Sequence, residues 1–247
     1  MSRYFLEVCY KGTGFAGFQV QENAQTIQGV VEEAFRILFK EPFSLTGSSR
    51  TDSGVHARQN YFHFDSEHDI QEKYVYNLNA LLPETVAVKK IISVRDEAHC
   101  RFDAMWRQYS YMVYGRKDPF LNDVAYYYPF RVDVEVMKAA AEALTGYRHF
   151  EAFSKRNTQV KTYECKILES SWSEEGGALL YRVKANRFLR GMVRGLVGTM
   201  LQVGRGRMSV DEFRKVIEGG NSAEVDFSVP GRGLILEKVE FGEGYFA

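Results

Sequence analysis

Apolar residues in the first half of the chain recur at two spacings, which predict strands and helices in turn. Residues 5–10 alternate in the manner of a strand, and apolar residues after the capping residue Thr26 recur every three or four positions, as in a helix. Shorter patterns predict strands at 61–64 and 87–94, with a short helix around 73–82 between them. The first half therefore mixes helices with strands.

The second half of the chain repeats this mixture. Strands are predicted at 110–114, 166–172, 179–185 and 234–241. One helix is expected to run from the cap Asp133 to a glycine cap at Gly146, a second to span about 188–201, and a third to follow Ser209 in a capping-box pattern. Both halves thus predict an α+β fold.

The division between the two halves is expected near residue 104. Residues 1–104 would form an N-terminal α+β half with a candidate catalytic Asp loop, and residues 105–247 a related C-terminal half with a basic helix. No Pro-, Gly- or Ser-rich linker separates them. We expect their mixed, largely antiparallel sheets to join into one extended sheet flanked by helices.

Composition excludes several classes of protein. With 247 residues, 45% of them hydrophobic, the chain can bury one large core or two smaller ones. Cys9, Cys100 and Cys165 are too few for a disulfide framework, and we expect them to be small core residues in a reducing compartment. No uncharged stretch of about 18 residues is present, so we expect a cytoplasmic protein without a membrane segment.

Charge is distributed unevenly, although 32 basic residues balance 32 acidic ones. Residues 1–104 carry 11 basic and 14 acidic side chains, whereas residues 105–247 carry 21 and 18. Between Tyr181 and Val210 there is no Asp or Glu, and the basic residues there are Arg182, Lys184, Arg187, Arg190, Arg194, Arg205 and Arg207. Zero net charge taken alone argues against a basic nucleic-acid binder, but such a local positive field can attract phosphate.

A glycine-rich segment near the N-terminus matches the dinucleotide-binding pattern G-x-G-x-x-G at Gly12, Gly14 and Gly17. In a Rossmann fold this turn opens directly into a helix, but here 18–21 alternates like a strand and the helix waits until Thr26. We therefore interpret the segment as a structural loop. The alternative, a dinucleotide-dependent enzyme, predicts a thermal shift with NAD or FAD, and we expect none.

The loop Arg50-Thr51-Asp52-Ser53-Gly54 combines a guanidinium, a hydroxyl, a carboxylate and a turn glycine. Catalytic groups collect on loops that a rigid scaffold positions, so this loop is a candidate functional site. A plain turn in which Asp52 bonds to its own backbone fits the same composition.

On the helix predicted around 188–201, apolar and basic residues separate onto opposite sides. The basic side carries three arginines and, on or beside it, three glycines: Arg187, Arg190, Arg194, Gly191, Gly195 and Gly198. Each glycine costs a helix about 0.5–1 kcal/mol relative to alanine, so either another backbone or a polyanion must approach this face. Close packing within the domain explains the glycines but leaves the arginines without partners.

Aromatic and histidine residues narrow the chemistry further. Residues 106–111 interleave aromatic and basic side chains, a pattern that suits stacking on unpaired bases, although most aromatic residues must form the core. The five histidines show no metal-ligand spacing, and the chain has no GKS or GKT phosphate loop. We therefore expect no metal and no nucleotide cofactor.

Spaced motifs in one order run nearly the length of the chain, at 10–19 with 26–29, 50–57, 79–83, 99–104 with 107–111, and 192–198. Together they resemble the TruA-type tRNA pseudouridine synthases (tRNA pseudouridine 38–40 synthases). The resemblance implies the pseudouridine synthase fold, a homodimer, and RNA bound in a basic cleft between the halves. It also implies a cofactor-free isomerase that converts uridine to pseudouridine at positions 38, 39 and 40 of the tRNA anticodon stem-loop.

The resemblance also implies roles for individual residues. Asp52 corresponds to the nucleophile, Tyr109 to the aromatic residue that stacks on the flipped target base, and Arg194 to the ion-pair partner of Asp52. The residues expected to contact RNA are Arg50, Arg187 and Arg190. Residue types do not decide whether Asp52 attacks the uracil ring or the sugar carbon.

The chain departs from the family pattern at a few positions. Phe18 stands where Trp is usual and Ser49 where Gly is frequent, Arg190-Gly191 replaces His-His, and Ser228-Val229-Pro230 replaces Thr-Ala-Pro. None of these is the implied nucleophile, tyrosine or arginine. The departures concern RNA contacts and the set of uridines reached.

The competing class is a non-catalytic RNA-binding protein or chaperone. It accounts for the basic segment equally well, but it gives no reason for an Asp in a site that binds phosphate. Pseudouridine formation on unmodified tRNA separates the two classes, because a chaperone leaves every uridine unchanged.

Overall fold

The computed structural model describes residues 1–155 and 160–246. The chain divides into two compact units, one comprising Met1–Met105 with the segment from Ile235, the other comprising Trp106–Leu234. The strands are β1 (Ser2–Tyr10), β2 (Thr46–Gly47), β3 (His56–Ser66), β4 (Val86–Val94), β5 (Trp106–Tyr114), β6 (Tyr126–Tyr127), β7 (Ile167–Glu175), β8 (Ala178–Ala185) and β9 (Leu234–Glu240). The α-helices are α1 (Ile27–Phe39), α2 (Lys73–Leu81), α3 (Val134–Ala143), α4 (Met192–Gly204) and α5 (Val210–Gly219).

The first unit is built on a sheet in the order β4-β1-β3-β9. Strand β1 pairs antiparallel with both β4 and β3, β9 pairs with β3 in parallel, and the short β2 adds to β3. The consecutive residues 61–64 of β3 are all buried, so both faces of this strand are covered. The strand therefore provides a rigid base for the loop that precedes it.

Helix α1 begins where the sequence predicts. The hydroxyl of Thr26 accepts a hydrogen bond from the Gly29 amide at 3.2 Å, which caps the first turn. The ring of Phe35 meets the ring of Phe64 on β3 edge-on, with 5.0 Å between centroids. The apolar face of the helix thus packs on the sheet, as the spacing of its apolar residues predicts.

The second unit is built on the antiparallel neighbours β5, β8 and β7, with β6 parallel to β5. Gly176 and Gly177 join β7 to β8 with φ values of 59° and 80°. Two consecutive residues with positive φ are typical of a type I′ hairpin turn, whose twist matches that of the strands. Strand β7 extends to Glu175, so the turn is shorter than the gap between the predicted strands 166–172 and 179–185.

Helix α4 lies in the core of the second unit, because nearly all of its residues are buried. The indole of Trp172 on β7 donates to the sulfur of Met200 at 3.4 Å, and a β-carbon at Gly204 would lie 2.5 Å from the sulfur of Met137 on α3. The sheet and α3 therefore pack closely against α4. Helix α5 follows a capping box between Ser209 and its third helical residue, which confirms that prediction.

Two predicted helix boundaries are wrong for local reasons. The helix expected over 188–201 begins at Met192, because the chain adopts a left-handed conformation at Gly191 with φ of 75°. Helix α3 has no glycine cap at Gly146. It passes instead into a 3₁₀ turn that starts at Leu144.

The α+β fold with mixed, mostly antiparallel strands is confirmed. The segment from Ile235 belongs to the first unit through the pairing of β9 with β3, whereas the sequence analysis assigned all of 105–247 to the second half. Cys100 and Cys165 are buried as expected, but Cys9 is only half-buried. Within 1–155 and 160–246, no helix has the length and apolar character needed to cross a membrane.

Candidate active site

Asp52 lies in a tight turn of the first unit, shortly before β3. The amide of Val55 donates to the carbonyl of Asp52 at 3.1 Å, and Gly54 has φ of 76°, a conformation that favours glycine. The turn that the composition indicates is therefore present and is closed through the main chain of Asp52. The side chain of Asp52 is half-buried.

Buried polar groups from β1 and β3 hold the main chain on the N-terminal side of Asp52. The hydroxyls of Tyr10 and Thr51 are 2.8 Å apart, and the Asn60 amide donates to the Tyr10 hydroxyl at 3.1 Å and to the Ser49 carbonyl at 2.8 Å. Burial raises the pKa of Tyr10 far above its usual value, so its hydroxyl stays protonated. Ser49 meets Asn60 through main-chain atoms, so a serine in place of glycine preserves these contacts.

The glycine-rich loop supports the other side of the same turn through hydrogen bonds. The amide of Phe18 donates to the carbonyl of Thr51 at 3.0 Å. The hydroxyl of Ser53 donates to the carbonyl of Phe15 at 3.0 Å. The residues on both sides of Asp52 are therefore tied to the glycine-rich loop.

Two glycines allow these loops to approach each other. At Gly12 a β-carbon would lie 2.0 Å from the carbonyl oxygen of Val55, and the Gly12 amide donates to Nδ1 of His56 at 3.0 Å. At Gly17, where φ is 115°, a β-carbon would lie 3.1 Å from the carbonyl oxygen of Thr51. Gly12 and Gly17 thus allow the two loops to pack closely, which agrees with the interpretation of the segment as a structural loop.

The segment that follows the glycine-rich loop differs from its prediction. Residues 18–21 form bends and a short bridge between Gln21 and Ala24, not a strand. The helix still begins only after Thr26, so the helix N-terminus that a Rossmann turn requires does not follow the glycines.

Tyr109 lies on β5 of the second unit, opposite Val183 of β8. Its side chain is 8% exposed, and its ring meets the ring of Phe188 edge-on with 5.1 Å between centroids. This packing fixes the plane of the Tyr109 ring. A fixed plane is what an aromatic side chain needs in order to stack on a base.

Arg194 lies in the first turn of α4. Its Nε donates to the carbonyl of Val229 at 2.8 Å, and one terminal nitrogen lies 3.5 Å from the carbonyl of Phe227. Because both acceptors are main-chain atoms, the departure at Ser228-Val229-Pro230 leaves them in place. Close packing within the domain therefore also provides partners for this arginine, which the sequence analysis did not expect.

The glycines of α4 accommodate this same segment. A β-carbon at Gly198 would lie 2.1 Å from the carbonyl oxygen of Asp226, and one at Gly195 would lie 2.8 Å from the Phe227 ring and 2.9 Å from the Val225 side chain. Of the two alternatives left open, another backbone or a polyanion, the structure shows the backbone. The glycines position the acceptors of Arg194.

The prediction of a basic helix in the second half is wrong in part, because Arg187 and Arg190 precede α4. Arg190 is exposed and Arg187 is half-buried, and neither side chain has a hydrogen bond or ion pair with a residue in the described part of the chain. Arg182, by contrast, bonds to Glu175 at 2.9 Å. The segment between Tyr181 and Val210, which has no Asp or Glu, therefore contains both arginines that are paired with protein groups and arginines that are available to bind a ligand.

Arg50 lies in the same loop as Asp52, and its side chain is exposed. Within residues 1–155 and 160–246 it forms no hydrogen bond or ion pair. The structure thus brings Arg50 and Asp52 together in the first unit. The second unit holds Tyr109, Arg187, Arg190 and Arg194.

The residues that support the site were not predicted from the sequence. Tyr10 belongs to a recognised motif, but nothing marked its hydroxyl as an anchor for Thr51. Asn60 follows two other polar residues, Arg58 and Gln59, and nothing in the sequence marked its amide as buried. Among the described residues, no group of three or more His, Cys, Asp or Glu side chains could hold a metal ion.

Comparison with known families decides the class of the protein. A family model described as tRNA pseudouridine synthase matches residues 8–103 and 140–242. The chain belongs to this family. It is therefore an enzyme, a tRNA pseudouridine synthase of the isomerase class. The matched ranges of the synthase family include Asp52 and Arg194, whereas Tyr109 lies between them.

Similar synthases match the chain along its full length. The tRNA pseudouridine synthase A of Parabacteroides distasonis is 45% identical over 248 residues, covering 100% of this chain and 98% of its own. The proteins of the same name from Bacteroides fragilis and Porphyromonas gingivalis are 40% and 37% identical, covering 100% of this chain and 99% and 100% of their own.

The contact at Gly12 generates the first prediction. Gly12→Ala places a methyl group against the carbonyl of Val55 and must displace the Asp52 turn, so kcat/KM for tRNA should fall by roughly tenfold to a hundredfold. Gly14→Ala is the matched control, because a β-carbon there meets nothing within 4 Å and brings only positive-φ strain. Wild-type kcat/KM in Gly12→Ala would show that the contact does not position the turn.

Proposed function

We propose that the protein converts uridine to pseudouridine at positions 38, 39 and 40 of the tRNA anticodon stem-loop, with Asp52 as the nucleophile. The observation that carries the proposal is the Asp52 turn, whose main chain is held from both sides by β1, β3 and the glycine-rich loop. Membership of the synthase family supplies the reaction class. The positions in tRNA come from the resemblance in sequence.

The chemistry requires a nucleophile but no oxidant or group donor. Uridine and pseudouridine are isomers: the bond from N1 to the sugar breaks, a bond from C5 to the sugar forms, and the C5 proton is lost while N1 gains one. A carboxylate that bonds covalently to the substrate divides this exchange into two easier steps. Asp52 can fill that role without a cofactor, whether it attacks the ring or the sugar.

Two residues of the second unit complete the proposed machinery. We assign Arg194 as the ion-pair partner of Asp52, since the planar guanidinium matches the geometry of a carboxylate. Its contacts with the Val229 and Phe227 carbonyls support this role by restricting its guanidinium. Tyr109, held edge-on by Phe188, is assigned to stack on the target base.

The target uridine must leave its base stack before any residue can reach it, because the reacting atoms are inaccessible within a helical stem. Flipping requires contacts that hold the distorted RNA. Arg50, Arg187 and Arg190 are assigned to this task, since each lacks a protein acceptor in the described part of the chain. Guanidinium groups without a protein acceptor can bind phosphate without first breaking an ion pair.

Substitution of the nucleophile tests the proposal. Asp52→Ala should lower the rate of pseudouridine formation on unmodified tRNA by roughly 10⁴-fold or more, because the covalent step is lost, while tRNA affinity stays within about threefold. The matched control is Asp96→Ala, an exposed aspartate of the same unit. Measurable turnover by Asp52→Ala at near the wild-type rate would refute the assignment.

Salt dependence tests the RNA-contacting arginines. Arg187→Gln and Arg190→Gln should each weaken tRNA binding and reduce the slope of log K against log salt by about one, because each phosphate contact releases about one counterion. Arg182→Gln is the control, since Arg182 already bonds to Glu175. If all three variants keep the wild-type slope, Arg187 and Arg190 do not contact phosphate.

We also propose that the protein is a homodimer, as the resemblance implies. Sedimentation equilibrium should then give twice the chain mass of 28.4 kDa. A mass of 28.4 kDa at micromolar concentration would contradict the dimer.

A further inference from the structure

A small cavity in the first unit lies beside the Asp52 loop and is not used by the proposed chemistry. Its volume is about 190 Å³, and it is bordered by Phe18 and Gln19, by Gln28 of α1, by 45–47 and Arg50, and by 99–102. Asp52 does not line it. The lining includes two arginines, two glutamines, a histidine and two phenylalanines but no acidic residue.

Phe102 at this cavity is a large apolar residue that is 75% exposed. Its ring is nevertheless held in place: the ring of His99 lies 4.2 Å away, and the guanidinium of Arg101 lies 5.8 Å from the Phe102 centroid. An exposed phenylalanine costs hydrophobic free energy unless a ligand covers it. The combination of a fixed aromatic face and arginines is the one that proteins use to bind unpaired bases.

The segment that carries Phe102 is fixed by hydrogen bonds of the neighbouring His99 and Cys100 side chains. Nδ1 of His99 accepts hydrogen bonds from the amides of Arg101 and Phe102 at 3.2 and 3.4 Å. Burial is the largest cause that lowers the pKa of His99 below its usual value, so the imidazole is neutral at pH 7 and Nδ1 can accept. The thiol of Cys100 donates to the carbonyl of Thr46 at 3.2 Å. The aromatic face is therefore formed before any ligand arrives.

Size and polarity decide which ligand fits. Binding sites for drug-sized molecules are typically about 300–1,000 Å³, so 190 Å³ is too small for a dinucleotide and suits a single planar base. Within the described residues, the side chains of Gln19 and Arg50 have no hydrogen-bond partner, so an amide is available for a base edge and a guanidinium for phosphate. Arg101 is a second cation at the same cavity.

We propose that this cavity binds one unstacked nucleotide of the tRNA other than the reacting uridine, with its base on Phe102 and its phosphate at Arg50 and Arg101. The proposal rests on the proposed function, because it takes tRNA as the ligand. It makes Phe102 a substrate-positioning residue with no part in bond breaking. The cavity then determines which tRNA conformations are held for reaction.

The first experiment measures tRNA affinity and turnover with unmodified transcripts. Phe102→Leu should weaken tRNA binding on the order of tenfold, because one base loses its stacking surface. Phe102→Tyr should keep the wild-type affinity, because it retains an aromatic ring. The single-turnover rate at saturating tRNA should change less than about twofold, since the chemistry is elsewhere. Tyr76→Leu is the matched control, an aromatic residue of the same unit that is 81% exposed. Wild-type affinity in Phe102→Leu overturns the proposal.

A second experiment keeps the test valid if Phe102→Leu folds poorly. Phe102→Trp retains an aromatic face, and its added fluorescence should be quenched when tRNA binds, whereas that of Tyr76→Trp should not. If Phe102→Trp binds tRNA without quenching, the proposal is overturned. It is also overturned if Phe102→Leu changes the oligomeric mass but not the affinity for tRNA. If wild-type protein binds tRNA but forms no pseudouridine, the proposed function fails while the quenching result still decides the cavity's role.

Discussion

The close main-chain contact between the glycine-rich loop and the Asp52 turn is the constraint on which the rest of the site depends. A β-carbon at Gly12 would overlap the Val55 carbonyl, and the Phe18 amide bonds to the Thr51 carbonyl. At this contact the turn is held by backbone atoms, which have far fewer conformations than side chains. A nucleophile, the role proposed for Asp52, requires placement within a fraction of an ångström, and this contact restricts the turn that carries Asp52.

The second unit uses the same physical device for Arg194. Gly195 and Gly198 allow the segment around Asp226 to lie directly on α4, and carbonyls of that segment then bind the guanidinium. In both units the lack of a side chain at a glycine lets main-chain groups approach and position a candidate site residue. This explains how Val229 can replace alanine beside Arg194 without loss of the contact, because the acceptor is a carbonyl.

Local signals in the sequence were sufficient for much of the fold. The caps Thr26 and Ser209 placed the starts of α1 and α5, because a cap depends on residues three positions apart. The start of α4 was not predictable in this way, since the left-handed conformation of Gly191 is a property of the packed chain. For the same reason, the sequence predicted only that either a backbone or a polyanion would contact Gly198. The family motifs identified the candidate residues, but the hydrogen bonds of Asn60 and the open face of Phe102 required the structure.

The activity proposed for this site is isomerisation of uridine in the anticodon stem-loop, and mapping the product of the wild-type protein tests it. Unmodified tRNA transcripts with uridine at positions 38, 39 or 40 would be incubated with the protein and sequenced for pseudouridine. We expect pseudouridine at these positions and none elsewhere in the transcript. Pseudouridine only outside the anticodon stem-loop, or unchanged uridine throughout, would contradict it.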